Sequence, residues 1–155
     1  MRKKRTDTEL KKASGHLYYE IEMLGGCAQL LAQGSYKNRT VTNALLESFT
    51  VHARVILDFL YASESVKTDD VIAEDFFDSP SLWHSVRPEK TKLLGSIHKR
   101  VGKEIAHLTY TRQRITPEEK RWHYLKIHND VAEVLRLFLE KAPQSRLDGR
   151  LLKLR

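Results

Sequence analysis

The chain has 155 residues, 41% hydrophobic and 30% charged, with a formal net charge of +7. That length suits one domain around one packed core, and the composition fits neither a disordered chain nor a membrane protein. The longest uncharged stretch, residues 23–36, is too short and too rich in glycine and glutamine to span a bilayer.

Residues 1–6 are basic and lead into Asp7 and Glu9 instead of an apolar run, so no signal peptide is visible. Leu17, Ile21, Leu24, Ala28 and Leu31 recur at alternating steps of four and three, which predicts a helix over 8–33. Gly25 and Gly26 within it each cost about 1 kcal/mol relative to alanine and predict a kink or a close helix crossing, while Gly34 suits the stop. Cys27, the sole cysteine, forms no internal disulfide and fits a reducing cytoplasm. After a polar stretch at 35–39, the apolar period from Val41 through Phe49 and Ile56 to Leu60 predicts a second helix over 41–62.

Residues 63–90 break the pattern. An acidic cluster (Asp69, Asp70, Glu74, Asp75, Asp78) surrounds Val71, Ile72, Phe76 and Phe77, which predicts a long connection carrying one short helix. Leu93, Leu94, Ile97, Val101, Ile105 and Leu108 restore the period and predict a third helix over 89–111. Thr116-Pro117-Glu118-Glu119 has the form of a capping box with proline at the first helical position, which predicts a fourth helix from there to Lys141, with Trp122, Leu125, Val131, Val134, Leu135 and Phe138 inward. Basic tails at 1–6 and 144–155 are left outside the packed helices and read as mobile. With no strand-like alternation and no internal repeat, the expected fold is all-α, an up-down bundle of four main helices plus the short one, in a single domain over 1–155.

The charge is unevenly placed. Residues 79–155 hold 17 of the 27 Lys and Arg but only 8 of the 20 Asp and Glu. Such a half attracts polyanions such as RNA or DNA; a solvated, lysine-rich helical surface explains the same count. The residue types exclude several chemistries. Glu104-Ile-Ala-His107 is the only Glu-x-x-His motif, where a di-iron bundle needs two. No glycine-rich phosphate loop is present. One cysteine excludes zinc-finger spacing, and His123 and His128 would point about 140° apart on a helix. No metal site or cofactor is therefore expected. A helix-turn-helix reader stays open.

The chemistry-bearing constellation is Arg100 and His107. Seven residues apart on an α-helix, they would share one face, roughly 10 Å apart along the axis. Histidine titrates near neutrality and a guanidinium suits a phosphate, so the pair suits metal-free RNA cleavage, with His107 handling a proton, Arg100 stabilising phosphorane charge and Glu104 orienting either. The plain alternative is an ordinary Arg100–Glu104 pair one turn apart and a half-buried His107 beside Ile105 and Leu108.

Arg100, six intervening residues, then His107, in the third main helix of a four-helix chain, resembles the motif of the HEPN superfamily (higher eukaryotes and prokaryotes nucleotide-binding). The segments around it, 103–109 (KEIAHLT) and 46–54 (LESFTVHAR), share the resemblance. It implies a helical bundle, usually a homodimer, whose two motifs converge in a basic cleft and act as a metal-independent endoribonuclease. It also implies toxin–antitoxin or phage-defence settings, with an antitoxin or regulatory protein as partner. Val101 stands where the family often has a polar residue, and Tyr110 lies one position beyond the place some branches reserve for a tyrosine.

Around the motif, Lys99, Lys103, Arg112 and Arg114 would line an RNA path, and Glu47 and Tyr110 would support the pair from behind. His52, Arg54 and Asp58 read either as a polar seam toward the third helix or, more simply, as an Arg54–Asp58 ion pair. Tyr18, Tyr19, Trp83 and Trp122 suit base stacking or, more simply, packing. The competing function is a non-catalytic helical module that binds nucleic acid or a protein. A cleft presenting Arg100 and His107 favours the enzyme, and a buried His107 packed on Leu93 or Trp122 favours the module. A third possibility makes the acidic segment 69–78 an internal phosphate mimic over a basic face.

Overall fold

The computed structural model describes residues 3–34, 37–62 and 66–155. Parts of the basic N-terminus (1–2), of the 35–39 turn (35–36) and of the long connection (63–65) lie outside the described residues. Among the described residues the structure is all-α, with no strand.

Helix α1 spans Asp7–Gln33. Thr6 accepts from the Glu9 amide while the Glu9 carboxylate accepts from the Thr6 amide, so two otherwise orphaned donors are satisfied at its start. Gly34 ends it at φ 62°, the left-handed conformation that a glycine adopts at least cost. The helix runs unbroken through Gly25 and Gly26. Neither the expected kink nor a close crossing is found at these glycines: a Cβ on Gly25 would meet His128 Nε2 at 3.6 Å, an ordinary contact, and one on Gly26 would meet nothing within 4 Å among the described residues.

Helix α2 spans Arg39–Leu60, capped by the Asn38 side chain. It runs antiparallel to α1, since Cys27 meets Ser48 and Glu20 meets His52. The connection that follows holds a 3-10 turn at Ala73–Phe76 and then helix α3, Pro80–Val86, where one short helix was expected. Both fold back over the end of α2. The Leu60 carbonyl, orphaned at that helix end, accepts from Trp83 Nε1 at 2.9 Å and from Arg87 at 3.0 Å. Trp83 is fully buried and packs with Phe77 and Phe138.

Helix α4, Lys92–Arg100, starts at the Thr91 cap and continues as a π turn over Val101–Ala106, in which the His107 amide bonds the Gly102 carbonyl five residues back. The third helix therefore ends at residue 106 instead of 111. Leu94, Ile97 and Val101 are buried as the period requires, yet Leu108 is 94% exposed, because the chain leaves the helix at His107 with extended backbone. Side chains downstream take up the freed carbonyls: Thr109 bonds that of Lys103 and Arg112 that of Ile105.

The fourth helix also starts later than its signal. The Thr116–Glu119 capping box forms, with Glu119 accepting from the Thr116 amide at 2.8 Å, but it closes a turn at 117–120, and helix α5 spans Tyr124–Lys141. Trp122 lies inward, as expected, although it precedes the helix, and Leu125 is half exposed instead of inward.

Residues 144–152 are not a loose tail. A 3-10 turn at Gln144–Arg146 and one helical turn, α6, at Gly149–Leu152 bring Leu147 and Leu151 to full burial. Arg146 bridges Asp7 and Asp78, and the Asp148 amide donates to Ser14. All six helices contribute buried side chains to one contiguous apolar cluster, centred on Phe59, Phe76 and Phe138.

Candidate functional site

Arg100 sits at the junction of α4 and the π turn. Its Nε and Nη2 donate to the two oxygens of Glu104 at 2.7 and 2.9 Å, a bidentate pair in which each side chain is mostly shielded from water. Nη2 also donates to the Glu119 carbonyl at 2.9 Å and Nη1 to that of Arg121 at 3.4 Å. The guanidinium lies 4.0 Å over the ring of Trp122. Arg100 thus fastens the 119–122 segment to the π turn.

His107 follows the π turn with extended backbone. It is exposed, and among the described residues only its backbone N–H is bonded. The α-helical face that the spacing of Arg100 and His107 called for does not exist here, because the π turn and the extended backbone at His107 replace it. His107 is therefore not the buried histidine of the module reading, and Arg100 lies over a face of Trp122.

Beside the motif lies a groove of about 340 Å³ between the start of α2, the π turn and the 112–122 segment. Glu47 and Glu104 both line it, as does Arg112, so three sequence-selected residues share one concavity. Lys99, Lys103 and Arg114 are exposed but not part of its lining, and Tyr110 is 83% exposed just after His107. Arg39, Asn43, Lys120 and Trp122 also line the groove. No sequence signal singled out Arg39, Asn43 or Lys120, since their meeting depends on the chain leaving the helix at His107. Trp122 was legible only as an inward residue.

Arg54 and Asp58 pair at 3.6 Å, and Asp58 also reaches His98 of α4 at 3.8 Å, so the ion pair and the seam coexist; His52 instead meets Glu20 at 2.6 Å. A larger groove of about 490 Å³ lies along that seam, between α1, α2 and the 66–72 segment. Trp83 is core, Tyr18 bonds Glu22, and Tyr19 is half exposed with its ring edge-on to His52. Within the acidic segment, Glu74 pairs with His84 and Arg87, and Asp78 with Arg146. Among the described residues, no group of three or more His, Cys, Asp or Glu is arranged to hold a metal ion, and no helix is long and apolar enough to cross a membrane.

No protein-family model, no curated protein and no solved structure matches this chain.

Proposed function

We propose that the protein is a HEPN-like, metal-independent endoribonuclease of the cytoplasm, built as an up-down helical bundle and acting as a homodimer in a toxin–antitoxin or phage-defence setting. The observation that carries this reading is the unencumbered His107 imidazole, presented to solvent on irregular backbone directly after a π turn, a local distortion that is frequent at functional sites. In the reaction, the 2′-oxygen of a ribose attacks the adjacent phosphorus and the bond from phosphorus to the 5′-oxygen breaks. The proton leaving the 2′-hydroxyl is matched by one delivered to the 5′-oxygen, and histidine is suited to both transfers near neutrality. Two copies of His107 across a two-fold axis would divide them. Leu108 and Tyr110, nearly fully exposed apolar neighbours of His107, support a second copy docking there. Arg100 and Glu104 hold the motif's shape. Incubation with RNA in EDTA tests the reading: the parent cleaves and His107→Ala does not, whereas intact RNA with the folded parent would refute it.

A second reading, a non-catalytic module for nucleic acid or protein, is favoured by one observation. Four of the five N–H donors of the Arg100 guanidinium are already bonded within the chain, which leaves at most one Nη1–H for a phosphate.

A further inference from the structure

We infer that the groove beside the π turn is a phosphate subsite in which Arg112 and Lys120 hold the anion, and that Arg100 is a positioning residue. The inference rests on the RNA reading above and assigns the substrate contact within it. Arg100 donates four hydrogen bonds inside the chain and has one face covered by Trp122. At most one of its five N–H donors is left for an anion, so most of the anion-binding work falls to other cations.

The groove supplies them. Arg39, Arg112 and Lys120 line it against two carboxylates, Glu47 and Glu104, and the charge of Glu104 is already matched by Arg100. Among the described residues Glu47 has no ion-pair partner, so the groove sets one unmatched carboxylate against three cations. Arg112 carries the clearest signal: its Nη2 bonds the Ile105 carbonyl at 2.9 Å, but its Nε–H is buried with no acceptor among the described residues. A buried guanidinium donor without an acceptor is unfavourable, and a phosphate oxygen, reached by a small swing of the side chain, would relieve it with the planar, forked geometry that suits Arg. The rest of the wall includes Leu46, Ile105 and Ile115, so a space of about 340 Å³ offers an apolar surface for a base beside the anion. The ligand class is a phosphate carrying a nucleoside, whether in a single strand or as a free mononucleotide.

The test measures binding of the full chain, at fixed salt, to a fluorescent single-stranded 2′-O-methyl oligoribonucleotide, which cannot be cleaved through its blocked 2′-oxygen, with AMP and inorganic phosphate as competitors. Arg112→Ala and Lys120→Ala should each weaken oligonucleotide binding about tenfold and lower the salt dependence by about one counterion. Glu47→Gln should tighten binding, an outcome that a merely structural role would not produce. Lys120 lies in an exposed turn, so its variant separates lost contact from lost folding. If the oligonucleotide binds and Lys120→Ala and Glu47→Gln leave affinity unchanged, the subsite is overturned while the ribonuclease reading stands. If AMP binds in an Arg112-dependent way and the oligonucleotide does not, the subsite holds a mononucleotide and the ribonuclease reading falls. Binding of neither overturns both.

Discussion

The Arg100 guanidinium grips both carboxylate oxygens of Glu104 while stacking 4.0 Å from the Trp122 ring, so one side chain joins the end of α4 to the segment that leads into α5. Removing it leaves a shielded carboxylate without its cation and uncovers the indole. Arg100→Ala should therefore lower stability by about 2–4 kcal/mol, measured by urea unfolding. Because the two residues act as one unit, the loss in the double variant with Glu104→Ala should fall short of the sum of the singles by about 1 kcal/mol or more. Strict additivity would contradict a tight pair.

The limits of sequence reading show clearly at this junction. The spacing of Leu94, Ile97 and Val101 named the buried face of the third helix, and Phe49, Ile56 and Phe59 did the same for the second. The exit at His107 was not legible, because it depends on the carbonyls of Lys103 and Ile105 finding side-chain donors at Thr109 and Arg112, beyond the helix. The Thr116–Glu119 box misplaced the start of α5 for a related reason. A capping box satisfies the same donors whether it opens a helix or a single turn, and here the Glu119 and Arg121 carbonyls are taken up by Arg100.

Gly26 lies on an exposed part of α1, and a Cβ there would meet nothing within 4 Å. Gly26→Ala should raise stability by about 1 kcal/mol, through the lost freedom of the unfolded chain and the better helix propensity. A rise in thermal midpoint checks this, and a fall would mean that this face is covered in solution.

The docking of residues 144–152 rests first on Leu147 and Leu151. Leu147→Ala should cost about 2–5 kcal/mol, the range for a fully buried leucine, in chemical unfolding. A negligible effect would restore the picture of a mobile basic tail.

Acid should loosen the same dock. Hydrogen bonds from Ser145 and Arg146 hold the Asp7 carboxyl below its ordinary value of 3.8, and Arg150 does the same for Asp148. With a folded-state value below the unfolded one, the contribution is complete above the unfolded value and is lost as pH falls through the folded one. The urea midpoint of the parent should drop as pH falls below 3.8, and the difference between parent and Asp7→Asn, present at pH 6, should shrink over that window. A constant difference across it would show that Asp7 contributes nothing through its charge.

The most direct measurement of the central claim is end-group analysis of an RNA pool incubated with the parent protein and with His107→Ala in EDTA. His107 is exposed and its ring is unbonded among the described residues, so its replacement should leave the thermal midpoint unchanged while cutting the cleavage rate about 100-fold or more. The account predicts fragments ending in 2′,3′-cyclic phosphate from the parent alone. Equal cleavage by both proteins, or 3′-hydroxyl ends, would contradict it.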